Sequence, residues 1–132
     1  PKGDRSRIVI AAVLAMRPEI LILDEPTIGQ DHRGARYILD LSRRLHEAGQ
    51  TVLVITHHLH LLPGYAERAL IMGRGTLLCD APLRGAFHQH KTLAETFLRP
   101  PQAVLLAQAL EEQLSMNLPL LTPAEIAAGF GA

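Results

Sequence analysis

Two short aliphatic runs on either side of one amphipathic stretch limit what this chain can fold into. Residues 20–23 are Ile-Leu-Ile-Leu, and residues 52–55 are Val-Leu-Val-Ile. Runs of this length without polar alternation fit strands buried on both faces. Between them Ile38, Leu41, Leu45 and Ala48 recur at steps of three, four and three, while Arg36, Arg43, Arg44 and Glu47 take the remaining faces. That spacing predicts an amphipathic helix over residues 34–48, closed by Gly49. Strand, helix and strand at this spacing demand a crossover between parallel strands, so the sheet is of α/β type.

The flanking segments are shorter and more broken. Residues 5–16 read as a helix apolar on nearly every side, which implies burial within a larger body, and Arg17-Pro18 ends it. Residues 27–33 are polar and read as a loop. A short irregular helix is expected within 59–66. Strands over 69–72 and 76–79 flank Gly73-Arg74-Gly75, a three-residue hairpin connection. After Pro82 the pattern changes to helices over 83–90, 92–98 and 102–114. Thr122-Pro123-Ala124-Glu125 has the form of a capping box, and Gly129 closes that last helix. The expected division is therefore 1–82 for the α/β part and 83–132 for a helical tail. A tail of that size rarely forms a stable core alone.

Composition narrows the class. The chain has 132 residues, and its 13 basic and 13 acidic side chains cancel, which argues against a nucleic-acid partner. Cys79 is the one cysteine, which excludes an internal disulfide and fits a reducing compartment. The longest apolar run, residues 8–16, is too short to span a bilayer, and no signal peptide is visible. A soluble, cytosolic protein is expected. The chain opens on Pro1 rather than Met, so an incomplete N-terminus is expected too.

Ligands of open α/β sheets bind outside the carboxyl ends of the strands. Here those ends carry Asp24-Glu25 and Thr56-His57. A strand-end aspartate suits Mg²⁺, a hard cation that takes one or two carboxylates and keeps its waters. An adjacent glutamate pointing the other way would orient or deprotonate an attacking water. A histidine on the neighbouring strand would reach the phosphate or that water.

These residues form a recognisable series. Residues 20–27, ILILDEPT, resemble the Walker B motif and catalytic glutamate of ABC-type ATPases. Gly29-Gln30-Asp31 is similar to their D-loop, and Ile55-Thr56-His57 to the strand bearing their switch histidine. Residues 1–7, PKGDRSR, sit where that family has its signature sequence. The tail, with Leu98-Arg99-Pro100-Pro101-Gln102, an amphipathic helix and then Leu121-Thr122, resembles the ATPase subunits of energy-coupling factor transporters. The resemblance implies the C-terminal half of a P-loop NTPase parallel sheet followed by a short helical tail. It also implies ATP and Mg²⁺ as cofactors, and ATP hydrolysis that powers uptake of a vitamin or metal ion. Its partners would be a second ATPase subunit, identical or paralogous, and transmembrane transporter subunits. Its place would be peripheral, at the cytoplasmic face of the cell membrane.

By the same resemblance, Asp24 would bind Mg²⁺ through water, Glu25 would be the general base, and His57 would contact the γ-phosphate. Asp31 would lie at the dimer interface. Lys2, Gly3 and Asp4, in the signature loop, would face the partner's ATP. Three departures bear on that loop: Pro1 stands for serine, Lys2 for glycine and Asp4 for glutamine. They predict that the nucleotide site completed by this loop is weakened, and they support the alternative of a degenerate, non-hydrolysing subunit. No G-x-x-x-x-G-K-[ST] phosphate loop occurs, so the chain by itself is expected neither to bind ATP well nor to hydrolyse it. His58 stands where the family often has aspartate, and no function attaches to it.

The remaining polar clusters have simpler readings. Seven histidines invite a metal site, but no cysteine pair supports one. Cys79 reads as a small apolar residue, and Arg36, Arg43 and Arg44 as a solvated helix face. The helix over 102–114 reads as a packing or dimer-contact element.

Overall fold

The computed structural model describes residues 2–115 and 122–129, with the backbone only for residues 2–4 and 6. They gather into two compact units that divide between His57 and His58.

The first unit runs α1 (Lys2–Ala15), β1 (Ile20–Asp24), α2 (His32–Glu47) and β2 (Thr51–Ile55). The strands pair in parallel, with Leu21 opposite Val52 and Leu23 opposite Val54. The crossover helix starts two residues earlier than its apolar spacing predicts. Asp31 supplies the reason: its Oδ1 accepts the Gly34 N–H at 2.7 Å, capping the first turn. A Cβ at position 34 would stand 3.0 Å from that oxygen, so glycine leaves the cap its room. At the other end Gly49, at φ +94°, donates its N–H to the His46 carbonyl, and Gln50 donates to that of Leu45. These two bonds satisfy carbonyls that a helix end otherwise leaves open.

Ile10, Leu21, Leu23 and Ile38 form the core of this unit, with Leu41, Leu45, Val52 and Val54 packed against it. Within this chain the two strands are covered on one face only. Ile20 and Ile22 are 61% and 59% exposed, and Leu53 and Ile55 are exposed beside them. The apolar positions of α1 and α2 in this cluster meet the Leu21–Leu23 face alone. Within this chain Ile8, Val9 and Met16 of the helix over 5–16 are exposed as well. The helix begins at Lys2, so Lys2, Gly3 and Asp4 are helical in backbone rather than looped. Arg17 takes φ +50° ahead of Pro18 and ends the helix as expected.

The second unit opens with a 3₁₀ turn, Leu59–Leu61, and continues through β3 (Arg68–Gly73), β4 (Thr76–Pro82), α3 (Leu83–Phe87), α4 (His90–Glu95), α5 (Gln102–Leu114) and α6 (Pro123–Gly129). The hairpin connection has two residues rather than three. Arg74 and Gly75 both have positive φ, the requirement of the tight turn that matches strand twist. A bulge follows, because Ile71 pairs with Cys79 but Met72 with Leu77. At α6 the capping box forms in full: Glu125 N–H donates to Thr122 Oγ1 at 3.1 Å, and Thr122 N–H donates to Glu125 Oε2 at 3.0 Å. Arg84 of α3 reaches Glu125 Oε1 at 2.5 Å.

Leu59, Ile71, Leu83, Ala86, Phe87, Leu93 and Val104 form one buried cluster. The hairpin therefore packs with the helices that follow it, within the compact unit that begins at His58. Ile71 and Leu59 supply what the helices lack for a core of their own. Leu93, Phe97, Leu98 and Leu105 also line an open groove of about 420 Å³, to which His90 and Arg99 add the polar rim. No helix among the described residues is long and apolar enough to cross a membrane.

Candidate functional site

Parallel pairing puts the C-terminal ends of β1 and β2 side by side, as Asp24 stands opposite Ile55. The pairing extends one residue further, because the Glu25 N–H donates to the Ile55 carbonyl at 2.8 Å. At Glu25 the backbone then leaves the strand with φ +43°, a conformation uncommon outside glycine and often found at functional sites. The direction of Glu25 thus follows from this left-handed turn, not from simple strand alternation.

Its carboxylate crosses to the end of β2. Oε1 accepts the His57 backbone N–H at 3.1 Å and lies 2.5 Å from His57 Nδ1. Oε2 accepts the Thr56 hydroxyl at 3.1 Å. Partial burial alone would raise the Glu25 pKa, but the hydrogen bonds from His57 and Thr56 outweigh it and hold the carboxyl below its ordinary value. With Glu25 ionised, Nδ1 of His57 carries the hydrogen, which fixes one tautomeric position of an exposed ring.

Asp24, beside this cluster, ends β1 with an exposed side chain. No described residue donates to its carboxylate, so the donor chemistry fits a hydrated Mg²⁺ that draws its other ligands from water and phosphate. Asp31 is engaged locally, as the cap of α2. Of the signature residues, Pro1 lies outside the described residues, and so do the side chains of Lys2 and Asp4. The structure thus brings Glu25 and His57 together, with Asp24 adjacent. Thr56, named at the strand end in the sequence but given no role there, joins them through its hydroxyl.

The His58 and His60 rings stand 5.8 Å apart, and those of His88 and His90 6.5 Å apart. Among the described residues no group of three or more His, Cys, Asp or Glu side chains could hold a metal. Arg43 pairs with Asp40 and Glu47 along its own helix.

Known proteins are similar to this chain. An ABC transporter ATP-binding protein assigned in Methanosarcina acetivorans is 40% identical over 126 residues, which are 95% of this chain and 20% of that protein. The energy-coupling factor transporter ATP-binding protein EcfA2 of Bacillus subtilis is 36% identical over 129 residues, covering 96% of this chain and 47% of that protein. The solved structure of cbiO1 from Clostridium perfringens, part of the ABC transporter complex cbiONQ, matches 80% of this chain and 43% of its own with a TM-score of 0.59 and 32% identity. The chain is homologous to the ATP-binding proteins of ABC transporters. No family model matches it. It spans less than half the length of these ABC relatives. Its α/β fold, with a parallel strand pair and a helical C-terminal segment, is that of part of an ABC ATPase.

Proposed function

We propose that the full-length protein hydrolyses ATP as a subunit of an energy-coupling factor type transporter that takes up a vitamin or metal ion. The observation that carries this reading is the contact of Glu25 with His57 across adjacent strand ends, beside an unengaged Asp24. Asp24 would hold Mg²⁺ through water, and that ion, when bound, neutralises charge on the phosphate oxygens. Glu25, ionised at neutral pH, would orient the attacking water. His57, with Nδ1 anchored on Glu25, would present the rest of its ring to the γ-phosphate. Asp31 would lie at the interface with a second ATPase subunit, and Lys2, Gly3 and Asp4 would face that subunit's nucleotide. Transmembrane subunits would select the solute while the ATPase pair sits at the cytoplasmic face.

The test is Glu25→Gln in the full-length protein. Phosphate release should fall by about 10²–10⁴-fold, the range of general-base catalysis, while ATP binding persists. Unchanged release would overturn the reading. The departures at Pro1, Lys2 and Asp4 favour a second one, a non-hydrolysing subunit used for dimerisation or regulation. Restoring serine and glycine at positions 1 and 2 separates them, because turnover should rise only if the weakened loop limits it.

A further inference from the structure

We propose that Thr56 is a positioning residue of this site, whose hydroxyl stops the Glu25 carboxylate from pivoting and leaves one acceptor position open for a water. The inference rests on the hydrolytic reading of Glu25. Because Glu25 sits at φ +43°, strand pairing does not dictate where its side chain points. The terminal torsion of a glutamate is broad and soft, so the plane of the carboxylate needs its own restraint. Both bonds from His57 go to the same oxygen, Oε1. Two donors on one oxygen form a hinge about which the other oxygen can swing. The Thr56 hydroxyl, on Oε2, is the third point that blocks this rotation. An ionised carboxylate offers about four acceptor positions. Three are taken here, and the fourth is on Oε2, beside Thr56. The β-branched threonine has restricted χ1 freedom, so its hydroxyl is held in place with little loss of entropy.

The experiment is steady-state phosphate release over a range of ATP concentrations, with the full-length protein and its Thr56→Val, Thr56→Ser and Glu25→Gln variants. Removing one hydrogen bond to a charged group should lower kcat of Thr56→Val about tenfold. KM for ATP should stay within about twofold, as the hydroxyl is engaged by Glu25. Thr56→Ser, which keeps the hydroxyl and drops the methyl, should recover most of the rate. Wild-type kcat in Thr56→Val would overturn the proposal. So would a Thr56→Ser variant as slow as Thr56→Val, since the methyl and its packing would then be what matters. If Glu25→Gln kept wild-type turnover, the hydrolytic reading itself would fall and this inference with it. A dead Glu25→Gln beside an unaffected Thr56→Val would remove the positioning role alone.

Discussion

Nδ1 of His57 lies 2.5 Å from Oε1 of Glu25, a bond between residues 32 apart in sequence. It exists because the crossover helix returns the chain in parallel, so that both strands finish at the same edge. A hairpin would have put these ends at opposite edges and separated the two side chains. The catalytic reading therefore depends on topology as much as on residue type.

Replacing His57 with alanine removes two things at once, the ring that would meet phosphate and one anchor of Glu25. In the full-length protein phosphate release should drop by about a hundredfold or more. Nucleotide binding measured without turnover should change little, because the roles removed are those of positioning and catalysis.

The depressed Glu25 pKa also has a consequence for folding. The group binds its proton less readily when folded than when unfolded, where its ordinary value is 4.5. Its contribution to stability is complete above that value and is lost as pH falls through the lower, folded one. The melting-temperature gap between wild type and Glu25→Gln should narrow between about pH 7 and about pH 3. Asp80, lowered through its bonds to Arg68, titrates in both proteins and cancels from the comparison.

Asp31 offers a way to separate a cap from a contact. Asp31→Ala should cost about 1 kcal/mol through the lost Gly34 bond, whereas Asp31→Asn keeps an acceptor and most of that stability. Thermal melts read the first effect. If Asp31→Asn melts like wild type yet turns ATP over more slowly, the carboxylate acts at the subunit interface as well.

Phe97 is 93% exposed and sits at φ +58°. An aromatic side chain gains almost nothing there, while the left-handed backbone costs about 1–2 kcal/mol for any residue with a Cβ. Phe97→Gly should raise the melting temperature, with a gain in stability of up to about 1 kcal/mol once the entropy of glycine is subtracted.

At the opposite extreme is Phe87, 2% exposed in the core of the second unit. Phe87→Ala should cost about 3–5 kcal/mol in chemical denaturation.

The parts legible in the sequence are those set by neighbours along the chain. The two strands, the crossover, the α5 boundaries and the Thr122–Glu125 capping box follow from local spacing and local hydrogen bonds. So do Asp24, Glu25 and His57 as strand-end groups. What the sequence does not carry is cover. Ile20 and Ile22 have the same composition as Leu21 and Leu23, and only the placement of α1 and α2 decides which pair meets a helix. The hairpin turn was misjudged for a different reason: Gly73 looks like a turn residue, yet it pairs with Thr76 as the last rung of the ladder. The role of Thr56 was hidden because a strand-end hydroxyl shows its value only when the oxygen it meets is known.

The shared cluster of Leu59, Ile71, Phe87, Leu93 and Val104 sets the rule for recombining this protein. A chimera joined after Pro82 would part Ile71 from Phe87 and leave each side with half of an interior. The exchangeable module begins at His58, so a tail grafted onto a related protein must bring its hairpin along.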